Sequence, residues 1–414
     1  MSDSQATPSD LTVARATDAD WDEIFATDAR AFLMTNPLSA AEQADLRGKV
    51  DDADVVLVRD PDGLVGEPLV GVSMFYRMTM TVPGGSPQPA AGLSWVSVAA
   101  THRRRGILRT MITELFDQWE AEDQVFAILT ASEATIYERF GFGPTCFAQE
   151  VSVDLSAAKM RHRADRTSSP VNYAGADDVA QRIPELHQRW TATRPGALAR
   201  PASWWDPILA DRPSQRPSHS SGLHYLVHED GYAAYRIDQS GEPARGDITE
   251  VVAITDDAHT DLWRVLVGLD LLPTVTAAIP VDDPLPAKLT NHRAVSVTGV
   301  SDKMWLRILD VPRALGARHY GADLDMVLEV GDDFRGRGGV FDVSIRNGGA
   351  IVAPSAATPT VRLDISVLSA LFLGGTPART FAAADRLWTD SAETLAALDR
   401  AFTTDRAPFA GTFF

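Results

Sequence analysis

The sequence predicts a mixed α/β fold divided into three domains. The chain has 414 residues, too many for one ordinary core, and strand patterns alternate with helix patterns along it. Hydrophobic residues make up 45% and charged residues 23%, the balance of a globular protein. The character of the sequence changes near residues 155 and 303. We therefore expect domains at residues 1–154, 155–302 and 303–414.

The first of these domains reads as strands interleaved with helices. Strands rich in β-branched and apolar residues are expected at Leu11–Ala14, Val55–Arg59, Leu69–Met80, Leu93–Val98, Val125–Thr130 and Phe147–Val153. Helices are expected at Asp18–Phe32, after a capping box of Ser39 and Glu42, from Ile107 onward and at Ser132–Phe140. Inward-facing positions are Trp21, Ile24, Phe25 and Phe32 of the first helix, and Ile107, Leu108, Met111, Ile112, Leu115, Phe116 and Trp119 of the third.

The second domain partly repeats this order, and the third is a different α+β unit. A hairpin is expected from His224–His228 and Gly231–Ile237, followed by a strand at Glu250–Ile254 and a helix at Asp257–Asp270. Trp190, Trp204 and Trp205 are expected in the core. In the third domain we expect a strand at Trp305–Leu309, strands between Asp323 and Ile351, and helices at Pro312–Ala317, Ser366–Phe372, Pro377–Arg386 and Asp390–Phe402.

The turn between the strand Leu93–Val98 and the helix at Ile107 carries the strongest functional signal. Gly106 stands there among four arginines, which are Arg103, Arg104, Arg105 and Arg109. Unpaired N–H groups and the helix dipole attract anions to a helix N-terminus, and glycine allows a phosphate to approach closely. Arginines at that end oppose the dipole unless they face a bound anion. The pattern favours an anion site over the alternative, a solvated basic helix start.

The composition argues against several other classes of function. With 38 Lys and Arg against 56 Asp and Glu, the net charge of −18 argues against nucleic acid as a partner. The single cysteine, Cys146, excludes an intrachain disulfide, and the nine histidines lack metal-ligand spacing, so no metal is expected. No apolar run approaches the ~18 residues of a membrane span, and no signal peptide is visible, so we expect a cytoplasmic protein.

The arginine-rich turn resembles the cofactor motif of the GCN5-related N-acetyltransferase (GNAT) family. That motif, Arg/Gln-x-x-Gly-x-Gly/Ala, reads here Arg103-Arg104-Arg105-Gly106-Ile107-Leu108, with Leu108 in place of the second small residue. More specifically, the chain resembles the actinobacterial enhanced-intracellular-survival (Eis) acetyltransferases from about residue 11 to 414. The matching segments are residues 96–106, 131–144, 262–270 and 283–286, together with a C-terminal phenylalanine.

This resemblance implies tandem GNAT-like mixed-sheet domains, the second without a cofactor site, and a C-terminal sterol-carrier-protein-like α+β domain whose end reaches the active site. It also implies a homohexamer that uses acetyl-CoA as co-substrate and no metal. The implied substrates are amines of cationic small molecules of the aminoglycoside type, acetylated at several positions, and some lysine side chains.

The resemblance also implies roles for individual residues. Contacts to acetyl-CoA fall on Val96, Ser97, Val98, Arg104, Arg105, Gly106, Ile107, Leu108, Arg109, Ser132 and Glu133. The proton donor falls on Tyr137, and the proton acceptor is the α-carboxylate of Phe414. The amine pocket falls on Ala31-Phe32-Leu33-Met34-Thr35-Asn36.

Both proposed catalytic groups also have a purely structural interpretation. Tyr137 and Phe140, three apart on one helix, are also spaced to pack together. The last six residues include three phenylalanines, which are Phe409, Phe413 and Phe414. This concentration of aromatic side chains predicts that the C-terminal tail docks on the rest of the protein. A docked tail either serves stability alone or places its carboxylate in an apolar pocket, where burial raises the pKa from ~3.5 and the anion attracts a cationic amine.

Two other functions compete with small-molecule acetylation. One is a protein or peptide lysine acetyltransferase. The other is a lipid- or sterol-binding protein, in which the apolar residues of the third domain line a cavity; these are Leu363, Ile365, Val367, Leu368 and Leu371.

Overall fold

The computed structural model describes residues 10–34, 38–64, 66–162 and 168–414. These residues form two compact units. The first contains the residues up to Met78, Pro89–Thr130 and the terminal Phe414, and the second contains Thr79–Gln88 and Ala131–Phe413. Within the described residues, no helix is both long and apolar enough to cross a membrane.

The first unit is a mixed sheet with helices on it. Its elements are β1 (Thr12–Arg15), α1 (Trp21–Ala31), α2 (Ala40–Arg47), β2 (Val55–Arg59), β3 (Leu69–Thr81), β4 (Pro87–Val98), α3 (Ile107–Ala121) and β5 (Phe126–Leu129). The strand order is β1-β2-β3-β4-β5. Strands β1, β2 and β3 pair antiparallel, whereas β4 and β5 pair in parallel. The end of β3 and the start of β4 group with the second unit.

The predicted helices of the first unit are confirmed, with two wrong inward positions. The stripe of α3 is buried as expected except at Leu108, which is only partly buried. On α1, Trp21, Ile24 and Phe25 are buried, but Phe32 is 50% exposed. Because α1 ends at Ala31, Phe32 lies past the last turn and no longer follows the helical stripe. The capping box of α2 is present, since the Ser39 N–H donates to Glu42 Oε2 at 2.7 Å.

Helix α3 lies unusually close to β3 at one glycine. A Cβ at Gly71 would lie 2.6 Å from Cγ2 of Ile107, the first residue of α3. The missing side chain therefore lets the start of the helix sit directly on the strand. Further along, the rings of Phe75 and Trp119 meet edge to face with centroids 5.7 Å apart, which continues the same interface.

The second unit contains a larger mixed sheet. Its elements up to residue 317 are α4 (Ala134–Tyr137), β6 (Gly143–Asp154), β7 (Asn172–Tyr173), α5 (Ala176–Thr191), β8 (Leu198–Ala199), α6 (Ala202–Ala210), β9 (His224–His228), β10 (Gly231–Asp238), β11 (Arg245–Ala253), α7 (Asp256–Leu266), β12 (Thr274–Pro280), α8 (Leu285–Lys288), β13 (Val295–Ile308) and α9 (Val311–Ala317). The strand order is β13-β6-β12-β11-β10-β9-β7, and only the pair β11–β12 is parallel.

The predicted hairpin β9–β10 is confirmed, but several other elements differ from the sequence prediction. Strand β11 begins at Arg245 instead of Glu250. Helix α7 ends at Leu266 instead of Asp270. Strand β13 was expected over Trp305–Leu309 but begins at Val295, because it pairs with β6 from Val295 through Leu306. The boundary expected at residues 302 and 303 therefore falls inside a continuous strand.

A separate sheet follows in the same unit. Its elements are β14 (Leu324–Gly331), β15 (Gly339–Arg346), β16 (Gly349–Pro354), β17 (Val361–Asp364), α10 (Ile365–Leu371), α11 (Ala378–Ala383), β18 (Leu387–Thr389) and α12 (Ala392–Phe402). The strand order is β16-β15-β14-β17-β18. Every residue of α10 is buried, so the apolar residues proposed as a lipid-cavity wall are core residues here.

Candidate active site

Strand β4 extends well beyond its parallel neighbour in the first unit. The ladder joins Ala91–Leu93 to Ala127–Leu129, and β5 ends at Leu129 while β4 continues to Val98. The backbone of residues 94–98 therefore has no partner on β5. Trp95 adopts a positive φ of 53°, which redirects the strand within this segment. Val96, Ser97 and Val98, expected to contact the cofactor, form the last three residues of this extension.

The arginine-rich turn leads into α3 through two left-handed residues. Arg104 and Gly106 both have positive φ, of 63° and 81°, and α3 begins directly after Gly106. The first N–H groups of a helix lack intrahelical partners and attract an anion. No acidic residue stands in the first turn of α3. The turn can thus receive an anion without a competing carboxylate on the helix.

Asp60 fixes this turn from the side of β2. Its Oδ2 lies 2.9 Å from Nε2 of His102 and 3.6 Å from a guanidinium nitrogen of Arg105. The hydrogen bond with His102 lowers the pKa of Asp60 and keeps the carboxylate ionised. Arg103, Arg104 and Arg109 are exposed. Of the predicted cluster, Arg105 therefore has a structural partner, while the exposed members extend toward solvent.

The corresponding helix start in the second unit is built differently. The Ala258 N–H donates to the Thr255 hydroxyl at 3.1 Å, which caps α7. Asp256 and Asp257 occupy its first turn. A capped, acidic helix start repels a diphosphate, whereas the start of α3 fits one. The contrast supports the expectation that only the first GNAT-like domain keeps a cofactor site.

Asp28 is a buried carboxylate that the sequence interpretation missed. It lies on α1, is 9% exposed, and its Oδ1 accepts a 2.8 Å hydrogen bond from Ser97 Oγ. Burial raises the pKa of Asp28 to about 6, although the Ser97 hydroxyl opposes that rise. Burial also raises the pKa of Tyr76 to about 12, against hydrogen bonds from Trp95 and Ser94. A titratable acid thus lies against the end of β4.

The terminal residue also lies on β4. A Cβ at Gly92 would be 3.1 Å from Cε2 of Phe414, so the ring covers that glycine. Phe414 groups with the first unit, although the rest of the tail belongs to the second. The ring of the terminal residue therefore lies on the strand that carries residues 96–98.

Tyr137, Ser132 and Glu133 belong to the second unit. Tyr137 ends α4, is 6% exposed, and burial raises the pKa of its hydroxyl to about 12. Its ring packs edge to face on Phe142 at 6.2 Å, while Phe140 packs on Phe334 at 4.9 Å. Tyr137 therefore has an aromatic packing partner in Phe142, and a 3-10 helix carries the chain from Glu138 to Phe140. Ser132 and Glu133 are exposed and precede α4.

The expected amine-pocket segment is only partly described. Thr35 and Asn36 lie outside the described residues. Ala31 ends α1, and Phe32, Leu33 and Met34 follow it with exposures of 50%, 84% and 42%. Three adjacent apolar side chains at the end of α1 thus face outward, a few residues from the buried Asp28.

The structure contains one buried thiol and no group suited to a metal in the part that it describes. Cys146 is free, and burial raises the pKa of its thiol. No cluster of three or more His, Cys, Asp or Glu side chains has the arrangement of a metal site within the described ranges.

Comparison with known proteins gives three domain matches along the chain. Residues 12–145 and 196–308 each match an acetyltransferase (GNAT) domain, and residues 311–411 match a sterol carrier protein domain. These matches confirm the predicted fold class of two GNAT-like domains followed by a sterol-carrier-like domain.

Whole-chain relatives show the same architecture. The N-acetyltransferase Eis of Mycobacterium tuberculosis is 37% identical over 402 residues, which cover 95% of this chain and 97% of that protein. The crystal structure of Eis1 from Mycobacterium abscessus is similar at a TM-score of 0.84 and 29% identity, covering 97% of this chain and all of that one. A GNAT from Anabaena variabilis, 19% identical, covers 98% of this chain and 100% of that one at a TM-score of 0.83 and supports the fold alone.

Proposed function

Because this chain belongs to the Eis family of GNAT N-acetyltransferases, we propose that it transfers the acetyl group of acetyl-CoA to amines of cationic small molecules of the aminoglycoside type. The family makes it an acyl-CoA-dependent N-acetyltransferase. The substrate class, the acceptance of several amines on one molecule and the roles of individual residues are the proposal.

One observation carries this proposal. Residues 94–98 of β4 extend past the end of β5, and two carboxyl-bearing residues contact that strand. Asp28 accepts a hydrogen bond from Ser97, and the ring of Phe414 covers Gly92. Negative charge at this strand favours a cationic amine as the acceptor of the acetyl group.

The negative charge of acetyl-CoA complements the arginine-rich start of α3 in the first unit. In the proposal, the backbone N–H groups of residues 104–108 hold the diphosphate at the start of α3, and the exposed arginines Arg104 and Arg109 add charge outside it. The backbone of Val96–Val98 pairs with the pantetheine arm, and Ser132 and Glu133 are further proposed contacts. Bound there, acetyl-CoA supplies an activated thioester.

The proposed reaction is direct attack of the amine on the thioester. A bond forms between the amine nitrogen and the carbonyl carbon, and the carbon–sulfur bond breaks. The amine loses a proton and the departing sulfur gains one. Backbone N–H groups of Val96–Val98 polarise the carbonyl oxygen, as donors of an oxyanion hole do. The terminal carboxylate of Phe414 accepts the amine proton, directly or through water.

Tyr137 is the proposed acid. A pKa of about 12 keeps its hydroxyl protonated throughout the neutral range. Because a thiol has a pKa of about 8.5, complete proton transfer from this hydroxyl is uphill. The hydrogen bond from Tyr137 to the developing thiolate therefore contributes most of the stabilisation, and when the proton moves to the leaving sulfur, the tyrosinate takes a proton back from water.

Asp28 adds to the attraction of the amine. With a pKa of about 6, its carboxylate is mostly ionised at pH 7. In a buried setting, an anion interacts with a cation more strongly than at the surface. We include Asp28 in the proposal as a residue that draws the protonated amine toward β4.

The experiment that tests the catalytic proposal moves the terminal carboxylate. One alanine appended after Phe414 displaces that group by up to about 3.8 Å. We expect turnover to be lost while the melting temperature and the acetyl-CoA-induced shift remain. The matched control carries one alanine before Met1. Undiminished turnover in the tail-extended protein removes the carboxylate from the mechanism.

The acceptor is tested separately, by free-thiol release with aminoglycosides, polyamines and lysine peptides. Preference for lysine peptides contradicts the proposed substrate class and favours the competing lysine acetyltransferase. The proposal also includes a homohexamer, which light scattering on the purified protein tests, and the domain boundaries 1–154, 155–302 and 303–414, which limited proteolysis tests.

A further inference from the structure

A cavity of about 160 Å³ lies in the second unit, at the point where β11 and β12 separate. The two strands pair in parallel only through Gly246–Ile248 and Val275–Ala277. The residues that follow on each strand, Thr249–Val252 and Ala278–Pro280, line the cavity. This opening beyond a short parallel pairing repeats the relation of β4 to β5 in the first unit.

The C-terminal tail forms one wall of the cavity. Phe409, Gly411, Thr412 and Phe413 all line it. Arg200 Nη2 donates to the Gly411 carbonyl oxygen at 3.0 Å, and Arg200 Nε donates to Thr412 Oγ1 at 3.2 Å. Anything that occupies the cavity therefore touches the tail where Arg200 holds it.

The tail also packs closely against the side chain of Trp190. A Cβ at Gly411 would lie 2.2 Å from the Trp190 ring, so only glycine fits there. The ring of Phe409 meets Trp190 edge to face at 6.5 Å. The tail wall of the cavity is therefore seated against α5 and is a defined surface.

Each charged side chain that lines the cavity has a close polar partner. Glu250 Oε1 lies 2.6 Å from Arg200, and Asp283 Oδ1 lies 3.2 Å from Nε2 of His259. Lys303 Nζ lies 2.7 Å from Glu150. The remaining walls are mostly apolar or aromatic, among them Ala148, Ile279, Phe409 and Trp190, and the hydroxyls of Thr249 and Thr412 donate to backbone carbonyl oxygens. The charged groups of the walls already have partners, so they would not compensate a charged ligand for the hydration that it loses on entering the cavity. The walls therefore favour an uncharged ligand.

We propose that this cavity binds a small uncharged ring compound, aromatic or alicyclic, and that its occupancy holds the C-terminal tail in place. An apolar cavity of about 150 Å³ is large enough for benzene, which sets the ligand at about one ring. The aromatic walls supplied by Trp190 and Phe409 favour edge or face contact with such a ring. Binding itself is independent of the proposed function, whereas its effect on turnover rests on the proposed role of Phe414.

The test uses toluene as the probe and benzylamine as its charged counterpart of similar size. Toluene is expected to raise the melting temperature of the full chain by a few degrees and to slow the release of the terminal phenylalanines by carboxypeptidase, followed by mass spectrometry. Benzylamine is expected to do neither at the same concentration.

Two variants on one strand identify the site. Ala278→Phe places a ring in the cavity from an exposed position of β12, where a strand tolerates phenylalanine. Thr276→Phe, two residues earlier on the same face, is the matched control outside the cavity lining. The Ala278→Phe variant is expected to resist carboxypeptidase without toluene and to show no further response to it, while Thr276→Phe responds like the wild type.

The outcomes separate the site from the catalytic proposal. Absence of a toluene effect on the wild type, or an equal effect on Ala278→Phe, overturns the proposed site. If toluene protects the tail and turnover with an amine remains unchanged, the site stands and the role of the Phe414 carboxylate fails.

Discussion

The ring of Phe414 covers Gly92, so that the last residue of the chain packs on the strand proposed to hold the thioester. A methyl group at residue 92 would lie 3.1 Å from Cε2 of Phe414 and 2.7 Å from the sulfur of Met78. Methionine is flexible and can move aside. A shift of the terminal ring also moves the carboxylate of the same residue. Gly92 is thus a contact through which the geometry of the chain end can be changed without altering any ionisable group.

The first prediction follows from that contact. Gly92→Ala is expected to lower kcat by about 10- to 100-fold, since a displacement of about 1 Å at a catalytic group has effects of this size. The KM for acetyl-CoA is expected to stay within about twofold, because residues 104–108 are not touched. Steady-state kinetics measure both. Gly299→Ala, at a position with open space around the glycine, is the control and is expected to behave like the wild type.

Asp28→Asn tests whether the buried acid draws the amine. Above pH 6 the Asp28 carboxylate is ionised, and below it the group is neutral like the asparagine. The ratio of the aminoglycoside Kd of the variant to that of the wild type is expected to be about ten at pH 8 and about one at pH 5. Calorimetric titrations without acetyl-CoA give both constants. A ratio independent of pH contradicts the role.

The same substitution has a predicted effect on stability. The pKa of Asp28 rises from 3.8 to about 6 on folding, so the folded state binds the proton more tightly. The contribution of Asp28 to the free energy of unfolding is therefore greatest below pH 4. It falls by about 3 kcal/mol in total as the pH rises through 6. Asp28→Asn lacks this loss and is expected to have a higher free energy of unfolding at pH 8, measured by urea titration. Equal stabilities at pH 8 contradict the raised pKa.

Arg104→Asn tests the diphosphate site without disturbing the turn. Asparagine tolerates the positive φ of residue 104, so the backbone is kept while the charge is removed. We expect the KM for acetyl-CoA to rise about five- to tenfold with little change in kcat, and the rise to shrink at high salt. Arg182→Gln, which removes an exposed arginine from α5, is the charge-matched control. An unchanged KM for acetyl-CoA excludes Arg104 from the site.

Arg200→Gln tests the ion pair that underlies the attachment of the C-terminal tail. Arg200 and Glu250 form a mostly buried ion pair at 2.6 Å, with 9% and 18% of their side chains exposed. Loss of one partner leaves a buried charge and is expected to cost about 3–5 kcal/mol of unfolding free energy. The double variant Arg200→Gln with Glu250→Gln removes both charges and should recover part of that loss in urea titrations. Equal stabilities of the single and double variants show that the pair is not coupled.

Local patterns were sufficient for the elements that form the candidate cofactor site. The apolar spacing from Ile107 to Trp119 predicted α3, and Gly106 among arginines predicted the anion-binding turn at its start. Both signals depend on residues within a few positions of one another, where helix periodicity and backbone freedom act. The resemblance to a family then added roles for Tyr137 and Phe414, which spacing does not reveal.

Contacts between distant parts of the chain account for what the sequence left out. Asp28 reads as an ordinary polar residue of an amphipathic helix; its hydrogen bond with Ser97, 69 residues later, and the burial that raises its pKa both depend on the tertiary structure. Likewise, β13 pairs with β6 from Val295 through Leu306, although Gly299 and the charged pair Asp302 and Lys303 interrupt its alternating pattern. Periodicity describes which face of an element is apolar, but burial of a carboxylate or extension of a strand depends on the partner that folding places against it.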